Sequence, residues 1–180
     1  MHSLPAAAAA VAITAAPAHP VSLRPLTQVS AERVLVADKV AAAKFGTTLP
    51  IDDPAREKQL LDTVAAKSAA LGIPPRTSVR IFRDQIEANK VVQRGLFARW
   101  TAHPDEAPKE RPDLQKEVRP ILDRITDRLL AQIKATQRTR GQASCGPRLA
   151  VAYVKISKRD QLDALHGAAL LRGVSSVCGS

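Results

Sequence analysis

Apolar residues recur at the three-to-four-residue spacing of a helix along most of this chain, and they alternate over no useful length. In the first segment, 27–45, Val29, Val36, Ala37, Val40 and Ala41 form a stripe, and Gly46 supplies the stop. A linker over 47–53 ends in Asp53-Pro54, a pair suited to the cap and first position of a helix. That second helix runs to Leu71 and stops at Gly72. A third spans 75–100, with Val79, Phe82, Ile86, Leu96, Phe97 and Trp100 on its stripe. The stretch 103–112, rich in proline and charge, reads as an exposed connection. A fourth helix carries Val118, Ile121, Leu122, Ile125, Leu129 and Ile133, and 141–147 breaks it. A fifth segment covers 148–177, with a capping-box pattern at Ser157 and Asp160 marking a bend. The expected fold is all-α, a single-domain bundle of five to six helices.

Composition narrows this picture. Hydrophobic residues at 45% supply a real core, while aromatics at 3% leave alanine to fill much of the apolar quota. Such a balance suits closely packed helices and argues against a β-sandwich, which leans on aromatic and β-branched residues. No apolar run reaches 18 residues, so no membrane-spanning helix is expected. Lys and Arg number 27 against 17 Asp and Glu, a net charge of +10 that points to an anionic partner. Charge alone favours nucleic acid. Basic residues are scattered among acidic ones, however, stacking aromatics are scarce and no recognised module is present, so a nucleic-acid partner is not expected.

Residues 1–18 contain no Lys, Arg, Asp or Glu, and Ala6 to Ala16 has the length of a signal-peptide core. Ala16-Pro17-Ala18 offers a small-x-small cleavage site, although His2 is the only candidate cation ahead of the apolar core. This reads as an export signal ahead of a mature domain, 19–180; the alternative is an Ala/Pro-rich tail. Cys145 and Cys178 are the only cysteines, and an even pair in an exported chain reads as a disulfide closing the helical segment 145–178. Chain entropy assigns such a loop roughly 3–4 kcal/mol. If the chain stayed in the cytosol, the two would instead be buried free thiols. Neither has a histidine or cysteine at ligand spacing, so no metal is expected.

Polar residues interrupt the stripes at informative places. Asn89 and Gln93, one turn apart, occupy stripe positions of the third helix and turn both amides into the bundle. On the first helix Arg33, Ala37, Val40 and Lys44 share a face. The two cations are about 20° out of phase and roughly 16 Å apart, so long side chains converge between them. Arg56 lies in the first turn of the second helix, where the helix dipole disfavours a cation, beside Glu57. Three cations and two amides thus face the interior with few carboxylates to pair them. Either that face is wet or a small dianion completes it.

Ala31-Glu32-Arg33, Val36 through Lys44, Leu49-Pro50-Ile51-Asp52-Asp53 with Arg56-Glu57, and Phe82 through Asn89 with Gln93 together resemble the secreted, monofunctional chorismate mutases of the all-helical class. The similarity extends to Trp100, to Pro112-Asp113-Leu114 and to the cysteine pair, which is disulfide-bonded in that subclass. It implies a periplasmic or secreted isomerase that converts chorismate to prephenate, a step towards Phe and Tyr, without a cofactor. It also implies a homodimer with each pocket inside one chain, catalytic helices within 27–138, and no membrane partner once a leader is removed. By resemblance Lys44, Gln93, Arg33 and Glu57 are catalytic, and Asp53, Arg56, Asn89 and Arg119 complete the substrate contacts. Arg33 and Arg119 would grip the carboxylates, and Lys44 and Gln93 would donate to the ether oxygen. Arg56 would help fix the carboxylates and Lys44, with Asn89 bonding a carboxylate and Asp53 and Glu57 the hydroxyl or the cations. Pro120 disfavours the α conformation at Arg119, which leaves Arg111 and Arg124 as alternatives for that clamp. A basic helical protein that binds an anionic ligand or nucleic acid without turnover is the competing reading.

Overall fold

Pro25 pre-sets the backbone for the first turn of α1 (Arg24–Lys44) in a computed structural model that describes residues 21–179. The helix therefore begins a turn before the expected position 27, and Thr27 already lies inside it, its hydroxyl donating to the Leu23 carbonyl. Gly46 turns the chain out of α1 at φ 69°, a conformation that favours glycine. Asp53 caps α2 (Pro54–Ala70), its carboxylate accepting from the Arg56 N–H at 3.0 Å. After the Gly72 turn, Pro75 opens α3 (Pro75–Ala102), the longest helix, followed by a short turn at Pro104–Glu106.

The entry to α4 (Arg119–Ala135) departs from the expectation at Pro120. A wide π-type turn, Leu114–Val118, precedes it, and Asp113 accepts from the N–H groups of Gln115 and Lys116 while Glu117 reaches back to the Asp113 N–H. This preformed turn carries Arg119 into the helix with α dihedrals, φ −59° and ψ −44°, despite the proline that follows. A four-residue α5 (Gln137–Arg140) and α6 (Cys145–Arg159) follow; α6 begins within the stretch expected to be a break, because only 141–144 leave the helical path. The bend after α6 is not built by the expected Ser157 box. Ser157 lies inside α6, whose buried Ala152 and Ile156 keep the helix going, and the turn forms at Gln161 (φ 50°). Asp163 caps α7 (Ala164–Gly173), accepting from the His166 N–H. All the described regular structure is helical, in seven α-helices rather than five or six, because the last segment is two helices and α5 is a separate turn.

α3 is the central rod, with α1, α2 and α7 packed along it, while α1 also lies against α4 and α6. Ala31, Ala37 and Ala41 are fully buried on α1. Their small side chains let the neighbouring rods approach closely, which is the use made of the alanine-rich composition. Phe82, Ile81, Leu129, Ile133, Ile156 and Leu170 fill the core between them. The carboxylate of Asp84 ties α3 to the end of α7 by accepting from Arg172, Ser175 Oγ and the Ser176 N–H. Cys145 and Cys178 are bonded, joining the start of α6 to the chain after α7. The expected leader, 1–18, lies outside the described residues.

Candidate active site

Four helices and the 45–53 loop line a cleft to which neither disulfide cysteine contributes. Val40, Leu60, Ile86 and Leu122, one from each of α1 to α4, give it apolar walls, and Leu49, Pro50 and Ile51 form part of its rim. All eight expected substrate contacts line it: Arg33 and Lys44 from α1, Asp53, Arg56 and Glu57 from the start of α2, Asn89 and Gln93 from α3, and Arg119 from α4. Arg111 instead lines a separate surface groove beside Trp100, and Arg124 is exposed outside the cleft lining, so neither occupies the Arg119 position.

Arg33 is buried, at 5% exposure, with its guanidinium 5.8 Å from the centre of the Phe82 ring. Its Nε and Nη1 have no hydrogen-bond partner among the described residues. Burial lowers its pKa to about 10; Asp123 opposes that shift and Arg56 adds to it. Burial also lowers Lys44 from the ordinary lysine value, against the pull of Asp53, Asp52 and Glu57, and with Arg119 reinforcing the descent. The Lys44 ammonium donates to the Pro50 carbonyl at 2.7 Å, which leaves it two further N–H groups. Gln93, buried at 3% exposure, donates one amide hydrogen to Asn89 Oδ1 at 2.6 Å and keeps the other. Arg56 donates to Gln59 and Arg119 to Gln115, each a neighbour on its own stretch of helix.

The cleft is more balanced than the sequence pattern implied. Lys90 and Asp123 also line it, so five cations face three carboxylates, those of Asp53, Glu57 and Asp123. Lys90 contacts Glu57 at 2.9 Å, Glu87 at 3.0 Å and Asp52 at 3.2 Å. Burial works against its charge, but the interactions of its ammonium with the carboxylates of Glu57, Glu87 and Asp52 outweigh it and raise the pKa. Both residues carried a signal in the sequence: Lys90 follows Ile86 by one turn, and Asp123 follows Arg119 by one turn. Each lies one position beyond a stripe residue, Lys90 after Asn89 and Asp123 after Leu122. Chemically the arrangement is a set of fixed donors around a small space, with carboxylates among them to accept from a hydroxyl. Such a site binds an anion and stabilises charge that develops on an oxygen.

Residues 24–94 match the family model for chorismate mutase type II. The chain is 35% identical over 156 residues to the secreted chorismate mutase of Mycobacterium tuberculosis, covering 87% of this chain and 78% of that protein. It is 33% identical over 156 residues to the secreted chorismate mutase of Mycolicibacterium smegmatis, covering 87% of this chain and 86% of that one. A crystal structure of chorismate mutase from Burkholderia phymatum superposes with a TM-score of 0.83 at 33% identity, covering 88% of this chain and 96% of that chain.

Proposed function

The chain belongs to the chorismate mutase family, and on that premise we propose that the cleft binds chorismate and carries out its rearrangement to prephenate with the side chains just described. In this Claisen shift the ether C–O bond breaks as a C–C bond forms within one molecule, and negative charge grows on the ether oxygen. Two physical contributions lower the barrier: holding the enolpyruvyl arm folded over the ring, and meeting the growing charge with donors already in place.

Arg33 from α1 and Arg119 from α4 grip the two carboxylates. A guanidinium suits this because its planar fork makes two parallel bonds to a carboxylate. The partnerless Nε and Nη1 of buried Arg33 support its role, since an anion meets donors that are otherwise left unsatisfied. Lys44 and the second amide hydrogen of Gln93 donate to the ether oxygen, and Lys44 adds the countercharge. Arg56 and Asn89 steady the carboxylates, while Asp53 and Glu57 accept from the ring hydroxyl. The observation that carries this reading is the meeting of Lys44 and Gln93, from separate helices, in one cleft with three arginines.

The decisive experiment follows loss of chorismate absorbance on addition of the purified protein in metal-free buffer. Turnover to prephenate is the expected result, and an inactive folded protein overturns the proposal. Export to the periplasm or medium is supported by the secreted relatives and by the apolar leader pattern, and amino-terminal sequencing of the exported protein tests cleavage after Ala18. A homodimer is part of the same reading. With each pocket inside one chain, as this reading has it, dilution below the dimer dissociation range should leave specific activity unchanged, which sedimentation and assay together check.

A further inference from the structure

Lys90 is the cation of the cleft most closely surrounded by carboxylates. Its ammonium lies 2.9 to 3.2 Å from those of Glu57, Glu87 and Asp52, and donates a hydrogen bond to Glu87. Arg33 and Lys44, by contrast, keep donors free. The carboxylates around Lys90 therefore separate it from the cations that are free to take up an anion. Lys90 is also the less exposed of the pair, its side chain 11% exposed against 28% for Glu57. Its bond to Asp52 reaches the 45–53 loop, where Arg94, one turn further along α3, holds the same carboxylate through both oxygens at 2.8 and 2.9 Å. Two residues before Asp52, the Pro50 carbonyl accepts from Lys44.

We infer that Lys90 is a positioning residue of this enzyme: from α3 it aims the Glu57 carboxylate at the substrate hydroxyl and pins the loop against which Lys44 is held. The inference rests on the reading of the cleft given above. Without Lys90, three carboxylates crowd together with only Arg94 and the more distant charge of Lys44 to offset them, and Glu57 swings towards solvent or takes up a proton. Either change costs substrate orientation while leaving the carboxylate donors Arg33 and Arg119 in place.

The test is a double-mutant cycle of Lys90→Met with Glu57→Gln, read as kcat and KM for chorismate from pH 5 to 9, with thermal melts to verify folding. Lys90→Met should lower kcat/KM about tenfold in the wild-type background and less than about threefold in the Glu57→Gln background, since coupled residues are not additive. It should also move the acid limb of kcat/KM to higher pH, a change that packing alone does not produce. Lys90→Gln, which retains donors, is made in parallel so that a poorly folded Met variant does not decide the matter; it should fall between Met and wild type. Additive losses, or activity within about twofold of wild type for both variants, would overturn the role of Lys90 alone. An inactive wild-type protein would overturn the reading of the cleft and this inference with it.

Discussion

Gln93 is an amide, so the donor it offers never titrates, and nothing on α3 should switch the chemistry off in mild acid or base. The alkaline limit falls to the cations of α1. Lys44 must be charged to act, and burial lowers its pKa, so activity is present below that value and lost as the pH rises through it, earlier than for an exposed lysine. Arg33, at about 10, loses its charge on the same side. A plot of kcat is therefore expected to be flat from about pH 6 to 9. The fall in kcat/KM should begin at lower pH than the fall in kcat, because a bound dianion favours the charged lysine. A steep drop in kcat between pH 6 and 8 would remove Gln93 as the ether donor. Lys44→Ala should reduce kcat/KM by about 10²- to 10³-fold, the scale of a lost oxyanion donor, and a loss under tenfold would exclude Lys44 from the mechanism.

At the level of elements, Asp53 serves two purposes that substitution can separate. It caps α2 and it lines the cleft. Asparagine caps as well as aspartate, so Asp53→Asn should keep urea stability within a few tenths of a kcal/mol while raising KM; Asp53→Ala should also cost about 1 kcal/mol of stability. The Cys145–Cys178 bond joins α6 to the segment after α7, and neither helix contributes to the cleft lining. Replacing both cysteines by serine should therefore destabilise the protein by roughly 3 kcal/mol while leaving kcat/KM at 25 °C within about twofold. A large kinetic defect in a variant still folded at the assay temperature would contradict that separation.

For the whole molecule, the stability of the α7–α1 contact depends on pH through His166. Its ring lies between Asp38, 2.8 Å from Nε2, and Asp163, 2.7 Å from Nδ1. The bond to Asp38 raises the pKa to about 9 against the opposing effect of burial, and Asp163 helps. A raised histidine pKa stabilises the fold fully below the unfolded value of about 6.5, and that contribution disappears as pH rises through about 9. Thermal melts of wild type and His166→Asn should differ most near pH 6 and converge near pH 10. The net charge of +10 acts over longer range. It draws a dianion towards the cleft, so kcat/KM should decline with added salt more than kcat does.

Read alone, the chain determined its helices, the Asp53 cap, the cysteine pair and a set of interior polar positions, because helical period, capping and composition are local properties. The exceptions were local choices settled by packing or neighbours: the bend followed Gln161 and Asp163 rather than Ser157 once Ile156 was buried, and a preformed turn carried Arg119 past Pro120. Only the tertiary structure decided that Arg119 rather than Arg111 or Arg124 lines the cleft with Arg33, and that Lys90 is paired with Glu57, Glu87 and Asp52. A helical period states which side of a rod a residue occupies. What stands opposite depends on how four rods and a loop are set against each other, and that comes from core packing spread over the whole chain.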